Sequence, residues 1–261
     1  MSNSASPAGG IISGLGAAGL GITGLLSADF AGNWQPMPKG IPASTALAYL
    51  SGATLLLAGT ALVARRHARV AAAFISAFLL SWVLLQLPAV IAGKEAAWLA
   101  PAETLAVSAA AWTYWWLGAP ESSYRTRAID AACAFFGVML LVFGVAHFLY
   151  IDFTAGMIPA WIPWRVPWAW ITGAGHIAAG LAIITGIQAR LGATLLALMM
   201  SGFVALVHLP RILAEPGNIG EWRLGSTAML LAGAAWIIAS AIAKMDRHQR
   251  QAAPRPEFVP L

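Results

Sequence analysis

Two stretches decide how this chain is built: SGATLLLAGTALVARRHAR, Ser51–Arg69, and TGAGHIAAGLAIITGIQAR, Thr172–Arg190. In the first, Ser51-Gly52 stands seven residues before Gly59 and seventeen before Arg69. In the second, Thr172-Gly173 stands at the same spacings before Gly180 and Arg190. Working outward, Ile41-Pro42 answers Ile162-Pro163 in the same register. With small shifts, Asp29-Phe30-Ala31 answers Asp152-Phe153-Thr154, and Gln86-Leu87-Pro88 answers His208-Leu209-Pro210. The pattern predicts a tandem duplication of a unit of about 120 residues. It also supplies an internal control, because where the copies differ in chemistry, packing alone is not the whole reason.

Hydrophobic residues make up 59% of the chain and charged residues 10%. A soluble domain carries roughly 25% charge, so the surface of this protein faces something other than water. Its charge-poor runs reach the length of about 20 residues that a membrane helix needs. Eight spans are expected, near 10–28, 46–64, 70–92, 99–117, 129–150, 168–187, 191–212 and 224–243. The runs lack the period-2 alternation of a lipid-facing barrel. The expected fold is therefore an all-α integral membrane protein with eight transmembrane helices in two parallel four-helix repeats. Each repeat has an even number of spans, which relates the copies by a pseudo-twofold along the membrane normal. The predicted organisation is a flexible N-terminus at 1–9, a first repeat at 10–120, a second at 128–243 and a disordered cytoplasmic tail at 244–261.

The first span is Gly-rich, and Met1 to Gly10 hold no Lys or Arg, which argues against a cleaved signal peptide. It is expected to stay in the mature protein. The net charge is +5 and the pI near 9.9, but the basic residues sort by side, not by a nucleic-acid face. One set of connections and the tail hold Arg65, Arg66, Arg69, Arg125, Arg127, Arg190, Lys244, Arg247, Arg250 and Arg255. The opposite set holds Lys39, Lys94, Arg165, Arg211 and Arg223. The excess of positive charge predicts both termini in the cytoplasm and an inner-membrane location, with the lipid bilayer as partner and no nucleic acid. Cys133 is alone, so no internal disulfide forms; a small apolar filler in the fifth span is the expected role.

The glycines of both copies fit close helix packing in lipid, where small residues let backbones approach. The outer loops, Asp29 to Pro42 and Pro159 to Trp168, are rich in Pro and Trp. Prolines break a continuous helix, and the tryptophans suit interfacial anchors or a ligand-binding lid. The polar exceptions are His147, His176 and His208, all in the outer half of consecutive spans of the second copy. Their counterparts, Gly24, Leu55 and Gln86, are not ionisable. Intramembrane ionisable groups usually face the bundle interior or a wet cavity.

Three readings stay open for these histidines. A quinone head group needs a donor and an acceptor, and imidazole supplies both. A b-type haem needs axial histidines facing each other. Alternatively, each ring bonds a backbone carbonyl and tightens packing. Arg211, a turn after His208, completes the candidate ligand-binding set of His147, His176, His208 and Arg211; Glu215, Glu221 and Arg223 surround it as rim or as guides for an anion. Glu103, after Pro101, reads either as a membrane-embedded carboxylate or as a first-turn acid favoured by the helix dipole. No metal-ligand spacing and no nucleotide-loop or nucleophile signature is present.

Gly173-Ala174-Gly175-His176, Gly180-Leu181-Ala182, Gly186 to Ala193, and Val207-His208-Leu209-Pro210-Arg211 together resemble the DoxX-like family of small four-helix membrane proteins. Ser51-Gly52, Gly59 and Arg69 carry a fainter version. The resemblance implies two fused four-helix DoxX-like units. Where that family usually has an intramembrane Glu, this chain has His176, and Leu55 in the other copy, so the carboxylate's role is not carried over. By resemblance, some relatives are membrane subunits of thiosulfate:quinone oxidoreductases and others join redox or detoxification complexes. The expected function is a membrane subunit or accessory protein of a quinone-linked redox system with a redox-enzyme partner. The alternative is a non-enzymatic membrane scaffold or small-solute transporter-like protein. A transport path needs polar residues continuing through the cytoplasmic half, and little is found there: Ser76 and Ser81 in the third span and Thr185 in the sixth.

Overall fold

The computed structural model describes residues 7–252. It is all helix, with no strand among the described residues. The helices are α1 (Pro7–Ser27), α2 (Ser44–Val63), α3 (Ala68–Ile91), α4 (Leu99–Leu117) and α5 (Ser123–Leu149), then α6 (Ile151–Met157), α7 (Arg165–Thr185), α8 (Ala189–Phe203), α9 (Leu209–Ala214) and α10 (Ile219–Ala252). A 3₁₀ turn, Gly32–Trp34, lies between α1 and α2, and a π-turn, Val204–His208, joins α8 to α9 without a break. Seven of these segments, with α8 to α9 counted as one, are long and apolar enough to cross a membrane. The chain is a multi-pass, all-helical membrane protein.

The helix that falls short of the expected eight is α4. Its 19 residues reach the length but include Glu103, Thr104, Ser108, Thr113 and Tyr114. The physical reason is its place: α4 packs against α3, α5 and α10 at once, and Thr104, Ser108, Thr113 and Tyr114 are all buried. A helix enclosed by protein needs less apolar surface than one facing lipid. Two boundaries also differ from expectation. Helix α5 begins at Ser123, six residues early, because the Ser122 hydroxyl caps it by accepting from the Arg125 backbone N–H at 3.1 Å. Helix α10 runs on to Ala252, so residues 244–252, expected in a disordered tail, are helical. The expectations for 1–6 and 253–261 lie outside the described residues.

Glycines hold the helix pairs together. A Cβ built on Gly59 would lie 2.6 Å from the Gly14 carbonyl oxygen, and one on Gly52 would lie 2.9 Å from that of Gly21, so α1 and α2 touch backbone to backbone. Helices α5 and α7 meet the same way: a Cβ on Gly180 would lie 2.7 Å from the Gly137 oxygen, and one on Gly144 would lie 2.8 Å from the Gly173 oxygen. Such contact exchanges side-chain volume for dispersion along the backbones. Around these pairs, α2 packs on α3 and α7 on α8, while α3 packs on α4 and α8 on α10. Helix α1 lies against α10, and α4 against α5. Helices α2 and α7 start from left-handed residues, Ala43 (φ 57°) and Trp164 (φ 54°); α3 and α8 likewise start from His67 (φ 56°) and Gln188 (φ 53°). The core is Ala-rich, with Trp82, Phe136, Leu79 and Leu140 among its largest fully buried side chains, and Cys133 is a buried member of it.

Candidate functional site

The close α5–α7 crossing places the histidines. A Cβ on Gly173 would sit 2.8 Å from both the His147 Cβ and the Phe148 ring; the bare α7 backbone is what lets the end of α5 lie against it. His147 and His176 consequently touch, with ring centroids 4.8 Å apart and planes tilted by 40°. Phe143 meets the His176 ring edge-on at 5.9 Å, and Phe203 of α8 covers it at 6.2 Å. His176 is 2% exposed, whereas His147 is half-buried. Above the pair, Phe148 stacks on Trp170 at 4.9 Å, and Trp170 is exposed.

The hydrogen bonds define the tautomers. His147 Nδ1 lies 2.7 Å from the Phe143 carbonyl oxygen, and His176 Nδ1 lies 2.9 Å from that of Thr172. A carbonyl only accepts, so each Nδ1 carries the proton and donates. In the neutral ring Nε2 is then a lone pair. The packing reading of these two histidines therefore accounts for one nitrogen of each ring. The arrangement offers two adjacent imidazole acceptors between α5 and α7, shielded by aromatic rings.

His208 and Arg211 form a separate group. Pro210 has no N–H to give the preceding turn, and the chain responds by widening it: the Leu209 N–H reaches back to the Val204 carbonyl. His208 closes this π-turn, buried over Gly225 of α10, with its Nδ1 enclosed and unbonded. Its charged surroundings are Arg211 and Glu221. Arg211 does not stand ready for an anion. Its Nε and Nη2 donate to the two carboxylate oxygens of Glu221 at 2.8 and 2.7 Å, a bidentate pair that uses the fork geometry of guanidinium. Glu215 accepts from the Asn218 amide at 2.8 Å. Arg223 lies 3.5 Å from Asp29 and also donates to the Ser27 hydroxyl, fastening the start of α10 to the end of α1. The expected four-residue set thus divides into a histidine pair and a charged clasp.

A further polar group lies in the first half of the chain. Trp34 is 4% exposed, so it is no interfacial anchor, unlike Trp161 and Trp164 of the other loop and Trp168 and Trp170 in the first turns of α7, which are exposed. Its Nε1 donates to Glu103 at 2.6 Å, and its carbonyl accepts from the Gln86 amide at 2.7 Å. Thr104 donates to Gln86 Oε1 at 3.2 Å, and Ser51 to Gln35 Oε1 at 2.9 Å. Glu103 lies past the first turn of α4 and is a part-buried carboxylate with an indole partner. The Pro-broken loop is in this way plugged into the end of the bundle where α3 finishes and α4 begins. Trp34 and Glu103 are both conspicuous in the sequence; the contact between them, 69 residues apart, is not. Among the described residues, no group of three or more His, Cys, Asp or Glu side chains is placed to hold a metal ion.

A family model described as a domain of unknown function (DUF8561) matches residues 136–224. That segment runs from the middle of α5 to the start of α10 and carries both histidine groups; the likeness is confined to it. No curated protein and no solved structure matches the chain.

Proposed function

We propose that this protein is a membrane subunit of a quinone-linked redox system, built from two fused four-helix units, with its quinone site at His147 and His176. The observation that carries the reading is the touching imidazole pair with both Nδ1 atoms committed to carbonyls. One neutral Nε2 accepts a hydrogen bond from a quinol hydroxyl, and the same nitrogen, once protonated, donates to a quinone carbonyl. A lipid-borne ring reaches the half-buried His147 past the exposed face of Trp170. A haem held between these two rings is disfavoured, because direct contact at 4.8 Å leaves no space for a macrocycle. His208 and Arg211 move from ligand contacts to a clasp that positions α9 and α10.

The duplication is supported by the matching glycine crossings, by the matching left-handed starts of α2 and α7 and of α3 and α8, and by the parallel order of helix neighbours. We read α4 as an eighth crossing, with both termini in the cytoplasm of an inner-membrane protein, and the DoxX-like resemblance as the source of the electron-transfer partner. The test is purification in mild detergent from native membranes with mass spectrometry of what stays bound. The expected result is a stoichiometric quinone, reduced about tenfold or more by His176→Leu together with His147→Leu. A folded double variant that retains quinone as the wild type does, or a wild type that carries only lipid, would turn the assignment to the scaffold or transporter-like alternative.

A further inference from the structure

The opposite end of the bundle carries buried donors that its own residues leave unmatched. Helix α4 ends there, and its last carbonyls are capped by guanidinium groups. Arg69 Nε donates to the Trp115 oxygen at 3.2 Å; Arg125 donates to those of Trp116 at 3.0 Å and Leu117 at 3.4 Å. Both arginines thus have a structural task. Lys244, on the last stretch of α10, has none: its Nζ is enclosed and bonds to none of the described residues. The indole N–H of Trp116, the residue whose backbone carbonyl Arg125 holds, is likewise buried and unbonded.

The charges near Lys244 are Arg125, Arg247 and Glu121. Glu121 lies 3.8 Å from Arg125 and is largely solvent-facing, with 55% of its side chain exposed. Among the described residues that act on Lys244, two are cations and the one acid already lies beside Arg125. An ammonium and an indole N–H are donors only, and a buried cation calls for a negative partner. What meets both demands is an anion with several acceptor oxygens.

We infer that Lys244, Trp116 and Arg125 form a binding site for the phosphate of an anionic phospholipid. Lipid is favoured over a soluble phosphate because the same end of α4 and α5 presents an aromatic ledge toward the bilayer. Trp112, Trp115, Trp116 and Tyr124 contact one another in series, with centroids 4.7 to 6.1 Å apart, and Trp112 and Tyr124 are exposed. Such rings sit at headgroup level, where acyl chain and phosphate meet.

The experiment compares full-length protein in phosphatidylcholine nanodiscs with and without phosphatidylglycerol, by native mass spectrometry and thermal unfolding. The wild type should retain phosphatidylglycerol selectively and unfold at a higher temperature with it. Lys244→Met should lower that retention about tenfold, the loss of one charge-assisted contact. In phosphatidylcholine alone it should unfold no lower than the wild type, since an unpaired buried charge is gone. Trp116→Phe, which keeps the ring packing, should give a smaller drop in retention. Equal retention of the two lipids by the wild type, or unchanged retention by both variants, overturns the site. If inorganic phosphate in phosphatidylcholine nanodiscs raises the unfolding temperature as much, the anion stands but the lipid as its source does not.

Discussion

Several polar side chains enclosed in this bundle are held by a partner that a lipid or an apolar neighbour would not supply. The Trp34 indole against Glu103 is the sharpest case, since an unpaired carboxylate in the bundle costs more than the bond contributes. Trp34→Phe should therefore destabilise the protein by about 1–3 kcal/mol, read from unfolding in detergent, and adding Glu103→Leu should recover part of the loss. Recovery of nothing would mean that Trp34 acts through its volume alone. Arg211 and Glu221 follow the same logic with two bonds. Arg211→Ala should cost about 1.5–3 kcal/mol, and the Arg211→Ala, Glu221→Ala pair less than the sum of the single changes, as a double-mutant cycle reports for coupled residues. If the two changes add fully, the bidentate pair seen here contributes no coupling in solution. Quinone retention should survive all of these, because none removes His147 or His176.

At the scale of the helix, close backbone contact sets the tolerance for side chains. A Cβ at Gly59 would come within 2.5 Å of the Ala18 nitrogen and 2.6 Å of the Gly14 oxygen, both backbone atoms with no rotamer to yield. Gly59→Ala should force α1 and α2 apart at a cost of about 1–3 kcal/mol. Gly24 lies on the α1 side of the same pair, with the Asp29 oxygen at 3.3 Å and the Gly52 Cα at 3.5 Å, so Gly24→Ala should be close to neutral. Equal unfolding temperatures for the two variants would refute the crossing described here. The left-handed start of α2 offers an opposite sign: Ala43 at φ 57° is strained for a residue with a Cβ, and Ala43→Gly should leave stability unchanged or raise it by up to about 1 kcal/mol. Loss of stability at that position would place Ala43 in another conformation.

At the scale of the whole molecule, α4 decides the topology. Eight crossings bring both termini to one side, while seven would separate them. Reporter fusions at the N- and C-terminal ends should both read cytoplasmic, and opposite readings would make α4 a helix that does not cross. Much of this architecture is legible without coordinates. The low charge and the run lengths lead to membrane-crossing helices, because lipid imposes those patterns on any chain. The early start of α5 was missed, because a Ser122 cap is recognised only with the hydrogen bond it accepts from the Arg125 backbone N–H. What one-dimensional pattern does not carry is which polar residues meet.

His147, His176 and His208 stand in similar positions on successive spans, yet the first two touch and the third joins Arg211 and Glu221. The difference comes from Gly173, which admits the end of α5, and from the π-turn at Val204–His208, which repositions the chain around Pro210. Glu103 and Trp34 were each conspicuous, and their hydrogen bond was invisible. By itself the sequence determined that this chain is a bundle of apolar helices with a polar minority, because hydropathy and small-residue spacing act within a single helix. Only the tertiary structure decided that α4 is enclosed, that Arg211 is paired and that two imidazoles meet, because those outcomes depend on the rotation and depth of one helix against another.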